Sequence, residues 1–170
     1  VQSYADWVET LSFANISESE LDSTAYESAE LQYLKNNFGK SFKGFLSYVN
    51  SYPDGLFKQS AHYYLAQSAI EIDSIDHALA AFEVVNGFHP NVFTLSALKQ
   101  TAIIYQQKEM YNKALNKFMK IDDLAETLEM QLLAKQGLMA CYFELAAYAA
   151  AITQAELVLN SGRVDESLVL

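Results

Sequence analysis

The stretch that decides the fold is residues 59–90, QSAHYYLAQSAIEIDSIDHALAAFEVVNGFHP. It predicts one helical hairpin, with a first helix at about 56–72, a second at about 74–86, and a stop at Gly87 and Pro90. Small and large side chains are combined so that an alanine leaves room for a large ring of the facing helix. The residues concerned are Leu65, Ala66, Ala69, Ala78 and Phe82.

The same residue types return along the chain at a fixed offset. An offset of 36 residues separates Ala66 from Ala102, Ala78 from Ala114, Phe82 from Phe118 and Val85 from Ile121. An offset of 37 then separates Tyr105 from Tyr142, Tyr111 from Tyr148, Ala114 from Ala151 and Ile121 from Val158. At that offset Phe118 is matched by Ala155, which departs from the pattern. Upstream, Phe45, Tyr48 and Pro53 precede Phe82, Val85 and Pro90 by 37.

This pattern resembles the tetratricopeptide repeat over roughly residues 22–162. A hairpin of this kind cannot bury its apolar stripe alone, and stacking on the next hairpin buries it. The resemblance implies an all-α fold, a right-handed superhelical solenoid of antiparallel helix hairpins. We expect about four repeats, a partial N-terminal helix and a truncated C-terminal helix. The connecting turns should be slightly longer than in the family, whose usual period is about 34 residues.

The repeat register predicts a single domain with internal boundaries. Residues 1–16 are expected to form a preceding helix and loop, and 163–170 the start of a next helix; the hairpins fall at 17–54, 55–90, 91–124 and 125–162. The best-marked helix start is a capping box of Ser17 and Glu20. Because the sequence begins with Val1 rather than Met, we expect a piece of a longer protein.

Composition narrows the class of protein. With 51% hydrophobic residues, six Gly and two Pro, the 170 residues suit one helical domain. A formal net charge of −10 argues against binding to nucleic acid, whose phosphates require a basic surface. The acidic residues that precede Lys35 indicate a solvated acidic surface or, alternatively, a surface for a basic partner. The apolar run at 138–159 is interrupted by Glu144, Gln154 and Glu156, so we expect no membrane span.

No catalytic pattern stands out. His62, His77 and His89 do not converge by spacing, and the sequence contains neither HExxH, CxxC, GxSxG nor a Gly-rich phosphate loop. Cys141 lies between apolar neighbours and is expected to be a buried, inert thiol. We therefore expect no enzyme, no metal and no cofactor.

Three lysines at helical spacing predict an exposed stripe: Lys113, Lys117 and Lys120.

The resemblance to the tetratricopeptide repeat implies a concave groove, lined by the first helix of each hairpin, that holds a segment of another protein. Carried over position by position, the groove residues are Tyr26, Glu30 and Tyr33; Tyr63, Gln67, Ile70 and Glu71; Lys99, Ile103, Gln106 and Gln107; and Gln136, Ala140 and Phe143. The Lys and Asn clamp that some family members use for a C-terminal carboxylate is absent. Tyrosine and glutamine instead offer flat contact area with hydrogen-bonding tips. The alternative is that the tyrosines pack internally.

The resemblance implies a non-catalytic protein-interaction scaffold, similar to the repeat segments of larger bacterial proteins of cell-envelope assembly. Such a protein would be periplasmic or attached to the outer membrane, with the cytoplasm as the alternative. A second candidate is a small-molecule or glycan-binding envelope protein, although the short connections leave little room for a sugar site. The last helix carries a stripe wider than its partner can cover, so we also expect self-association through the C-terminal end. The stripe consists of Tyr148, Ala151, Ile152, Ala155, Val158 and Leu159.

Overall fold

The computed structural model describes the backbone of residues 18–167 and the side chains of residues 20–161. Within residues 18–167 the chain forms eight helices and no strand, so the all-α prediction is confirmed. They are α1 (Glu18–Leu34), α2 (Phe38–Ser51), α3 (Lys58–Glu71), α4 (Ile75–Asn86), α5 (Thr94–Gln107), α6 (Tyr111–Leu124), α7 (Leu128–Glu144) and α8 (Tyr148–Ser167). The predicted helix and loop at 1–16, and Ser17 of the predicted capping box, lie outside the described residues.

The first compact unit falls within residues 1–74 and contains α1, α2 and α3. Helix α2 packs against both α1 and α3, and its rings Phe45 and Tyr48 are fully buried. Gly44 allows α1 and α2 to approach closely, because a Cβ at position 44 would lie 2.9 Å from the Cβ of Ala29. Between α2 and α3, the buried hydroxyls of Ser41 and Ser68 share a hydrogen bond of 2.9 Å.

The second unit falls within residues 75–170 and contains α4 to α8, each packed against the next. Its core is a cluster built mainly from α5, α6 and α7. The repeated small and large residues alternate there, and the six residues at the predicted core positions are buried: Ala66 in the first unit, and Ala78, Phe82, Ala102, Ala114 and Phe118 in the second. The repeat pattern therefore identified the core correctly.

A left-handed turn ends α1, α3, α5 and α7. The turn residues have φ near 57° and are Asn36, Asp73, Glu109 and Ala146, at offsets of 37, 36 and 37 residues. At the first turn, the amide of Asn37 donates to the carbonyl oxygen of Gln32 at 2.8 Å, and the amide of Ala147 makes the same bond to Tyr142 at the last. These bonds satisfy carbonyls that a helix end would otherwise leave unpaired. The backbone thus repeats at the offsets seen in the sequence.

Two predicted boundaries need correction. Gly162 was expected to end the last hairpin and Arg163 to open a next helix, but α8 continues through both to Ser167. A single glycine lowers helix stability by only about 1 kcal/mol, so it does not have to end a helix. The connections at 52–57 and 87–93 are long, as expected. The connection at 125–127 has only three residues, and the longer repeat period is accounted for there by the length of α7, which has 17 residues.

Among residues 18–167, no helix combines the length and apolar character that a membrane crossing requires.

Candidate protein-binding surfaces

In the first unit, Tyr26 is part of the core rather than of a binding surface. Its ring is only 6% exposed and stacks on the ring of Phe57 at a centroid distance of 4.4 Å. Its hydroxyl donates to Glu30 Oε1 at 2.9 Å, and burial, followed by the contacts with Glu30, raises the pKa of Tyr26 above its ordinary value. The prediction that Tyr26 lines a groove is therefore wrong, because the connection before α3 places Phe57 over it.

The other aromatic residues predicted for this unit remain partly accessible. Tyr33 and Tyr63 are half-buried, and both rings contact Tyr64, at centroid distances of 4.9 and 5.5 Å. Gln67 Nε2 donates to the hydroxyl of Tyr63 at 2.9 Å, which fixes both side chains on α3. Burial is the main cause that raises the pKa of Tyr33 above its ordinary value. Ile70 is half-buried and Glu71 is exposed at the end of α3.

In the second unit, α5 and α7 form a groove of about 290 Å³ over the ring of Phe118. The structure brings four of the predicted residues together in it: Ile103, Gln106, Gln136 and Ala140. Leu133 and Gly137 complete the lining and were not predicted. Lys99 and Gln107, also predicted, do not line this groove. Phe118 lies at the base of the groove but is only 3% exposed, because the backbone of Gly137 packs directly on its ring.

The predicted inert thiol lies beside this groove. Cys141 is fully buried, and Gln106 Nε2 donates to its Sγ at 3.6 Å. Burial raises the pKa of Cys141 above its ordinary value, which disfavours the thiolate form. Among the described residues, no group of three or more His, Cys, Asp or Glu side chains is placed to hold a metal ion.

A second groove, of about 510 Å³, lies between α7 and α8. It is lined by Met139, Ala140, Phe143, Glu144, Tyr148, Ala151, Ile152 and Ala155. Its largest apolar side chains are well exposed: Phe143 at 61%, Ile152 at 59% and Tyr148 at 56%. The rings of Phe143 and Tyr148 meet edge to face at 5.7 Å. Of the predicted groove residues, Phe143 therefore faces α8 rather than the α5/α7 groove.

The predicted lysine stripe is interrupted at its centre. Lys113 and Lys120 are exposed, but Lys117 is only 9% exposed, and its Nζ donates to Glu83 Oε2 of α4 at 2.6 Å. The hydroxyl of Tyr105 donates to the other carboxylate oxygen of Glu83 at 2.7 Å. Burial, followed by these contacts with Glu83, raises the pKa of Tyr105 to about 12. The three groups hold α4, α5 and α6 together and form part of the fold rather than a binding site.

Comparisons with known proteins support the fold. No protein-family model matches the chain, and no curated protein matches it in sequence. A crystal structure of MamA, a tetratricopeptide-repeat protein, superposes with a TM-score of 0.65 at 13% identity and covers 98% of this chain and 99% of that chain. A second MamA structure gives 0.56 at 13% identity, over 89% of this chain and 97% of that chain. The chain therefore has an all-α repeat fold of the tetratricopeptide type.

Proposed function

We propose that the chain is a non-catalytic scaffold that binds a segment of another protein in the groove between α5 and α7. The observation that carries this proposal is the chemistry of the groove, whose lining combines the partly exposed apolar side chains of Ile103 and Leu133 with two amide side chains, Gln106 and Gln136. An apolar side chain of the partner would be buried against Ile103 and Leu133. The two amides would hydrogen-bond to the partner's backbone, which must stay paired when it leaves water.

The size of the groove limits what enters it. A space of about 290 Å³ is at the lower end of the range for small-molecule pockets, about 300–1,000 Å³, and suits one large side chain with its adjoining backbone. Exposed Gln136 lies at the rim, whereas Ile103 and Ala140 are half-buried. Binding would therefore depend on one anchoring side chain and a few backbone hydrogen bonds, as is common for short protein segments.

The first unit carries a surface of the same chemistry. Tyr33 and Tyr63 present partly accessible aromatic faces, and Gln67 lies beside them with an amide. Side chains of this type combine flat apolar area with a polar tip and are common in protein interfaces. We propose that Tyr33, Tyr63 and Gln67 contribute to partner binding, and that Tyr26 does not.

The alternative of a glycan-binding protein is weaker. A sugar needs several polar side chains that pair with its hydroxyl groups, and the larger groove, between α7 and α8, offers one charged side chain, Glu144, among apolar neighbours. We propose the bacterial envelope as the setting, because the repeats resemble segments of envelope-assembly proteins. Fractionation of cells of the source organism would test this setting directly.

A crosslinking experiment tests the α5/α7 groove. A photo-reactive benzoylphenylalanine is placed at Gln136 in the groove and, as the matched control, at Met119 on the exposed side of α6. We expect a discrete protein adduct from position 136 and none from 119 in an extract of the source organism. Once the crosslinked partner protein is identified, Gln136→Arg should abolish its binding to the chain, whereas Met119→Arg should not. Equal adducts from both positions, or full binding by Gln136→Arg, would contradict the proposal.

A further inference from the structure

Part of the groove between α7 and α8 corresponds to a surface that is covered elsewhere in the same unit, whereas the positions that match Ala140 and Phe143 are Ile103 and Gln106 of the α5/α7 groove. Subtracting the repeat offset of 37 from lining positions 139, 151, 152 and 155 of the α7/α8 groove leads to Ala102, Ala114, Leu115 and Phe118. All four belong to the core of the second unit or pack against it. Helix α7 covers them with Ala134, Leu138 and Cys141, which belong to the same cluster, and with the buried Gly137. We call the surface formed by Ala102, Ala114, Leu115 and Phe118, which α7 covers, the filled copy. It shows that such a surface, or platform, accepts an α-helix.

The open groove differs from the filled one in the size of several lining residues: Met139 matches Ala102, Phe143 matches Gln106, and Ala155 matches Phe118. In the filled copy, the ring of Phe118 lies directly under Gly137, and no larger residue fits there. In the open copy, the residue that matches Phe118 is Ala155, which leaves the volume of the missing ring empty. A helix bound in this groove would therefore need a large apolar side chain where α7 has Gly137. The filled copy should therefore favour a helix with glycine at this position, and the open groove a helix with a large apolar residue there.

The charges near the groove indicate which helix fits. Glu144 lies in its lining, and Glu156 is exposed one turn after Ile152 on α8. The whole chain carries a formal net charge of −10. A second copy would bring an acidic protein against these carboxylates, whereas a helix with basic residues beside its apolar stripe would complement them.

We propose that the α7/α8 groove binds an amphipathic α-helix of another protein, with a large apolar side chain above Ala155 and basic residues facing Glu144 and Glu156. This proposal concerns a different occupant and different anchoring positions from those of the α5/α7 groove, although Ala140 lines both grooves. Self-association through the same face, which the sequence suggested, becomes an alternative outcome of the test.

Two synthetic peptides serve as probes. The first copies residues 127–146 of this chain, with Cys141→Ser and added lysines at both ends, and keeps Gly137. The second adds Gly137→Leu. Measured by fluorescence anisotropy, the leucine peptide should bind the protein about tenfold more tightly than the glycine peptide, because its side chain fills the space above Ala155.

The matched protein variant is Ala155→Phe, which rebuilds the platform of the filled copy. It should reverse the preference, so that the glycine peptide binds more tightly and the leucine peptide clashes with the new ring. Ile152→Glu should weaken both peptides at least about tenfold, since it places a charge in the apolar groove. Circular dichroism should show both variants folded, because residue 152 is exposed and residue 155 borders open space.

These measurements distinguish binding of another protein's helix from binding of a second copy of the chain. Equal affinity of the two peptides, no reversal by Ala155→Phe, or binding untouched by Ile152→Glu would overturn the proposal. Sedimentation of the protein alone provides the remaining arm. A dimer that Ile152→Glu abolishes would assign the groove to a second copy and would also overturn it, whereas a monomer at high concentration together with the reversal would support it.

Discussion

Gly137 of α7 lies directly against the ring of Phe118 of α6, so that a Cβ at position 137 would overlap the ring. The contact joins two helices of the core, and Phe118 is only 3% exposed. The ring cannot move away without disturbing its buried neighbours, since protein cores are closely packed. Gly137 also lines the α5/α7 groove, so the close packing of its backbone on Phe118 sets the depth of that groove.

The first prediction concerns this glycine. Gly137→Ala should lower the free energy of unfolding by about 1–3 kcal/mol through overpacking, despite the better helix propensity of alanine. The control is Gly39→Ala in α2, where a Cβ meets no atom within 4 Å. That change should leave stability equal or raise it by up to about 1 kcal/mol. Urea denaturation measures both, and a neutral Gly137→Ala would show that Phe118 moves freely.

The second prediction concerns the turn between α7 and α8. Ala146 has φ of 57°, a left-handed conformation in which its side chain is strained. Ala146→Gly should therefore raise the free energy of unfolding by about 1 kcal/mol, because glycine adopts this conformation without strain. Ala149→Gly, inside α8, is the control and should not stabilise the protein. Thermal melts of the two variants should shift in opposite directions.

The hairpins and their core were predictable because they depend on local spacing. Ala78, Ala114, Phe82 and Phe118 recur at a constant offset, and each pair occupies the same place in its repeat. The candidate site was only partly predictable, because local spacing identifies the residues on the first helices but not the contacts that cover them. The structure places Ile103, Gln106, Gln136 and Ala140 along one groove, since the first helices of these two neighbouring repeats lie side by side.

Contacts between distant residues were not predictable. Lys117 fits an exposed stripe by spacing, and its partner Glu83 lies 34 residues earlier on another helix. Tyr26 is covered by Phe57 from an irregular connection, whose path no periodic pattern specifies. The openness of the α7/α8 groove, by contrast, followed from the wide apolar stripe of α8, which was visible in the sequence.

The third prediction compares two phenylalanines. Phe82 of α4 is fully buried, and Phe82→Ala should cost about 3–5 kcal/mol of stability through the cavity that it leaves. Phe143 of α7 is 61% exposed, and Phe143→Ala should cost less than about 1 kcal/mol. Chemical denaturation measures both. A small effect of Phe82→Ala would mean that the repeat register is wrong.

The fourth prediction concerns the ion pair between Lys117 and Glu83. The lysine side chain is 11% exposed and that of Glu83 is 34% exposed. Lys117→Met should therefore cost about 1–3 kcal/mol, less than a fully buried pair, because water still screens the carboxylate. Lys108→Met, which breaks the exposed pair with Asp76, should cost less than about 1 kcal/mol and provides the control.

The pH dependence of stability tests the same pair independently. Burial alone would raise the pKa of Glu83, but hydrogen bonds from Lys117 and Tyr105 and the charge of Lys117 outweigh burial and lower that pKa below 4.5. The stabilisation is therefore complete above the unfolded pKa of 4.5 and is lost as the pH falls through the lower folded pKa. In Lys117→Met the main cause of the lowering is gone, so the stability of this variant should fall less over the same acidic range. Parallel acid-dependent curves for wild type and variant would show that the pair does not govern the titration of Glu83.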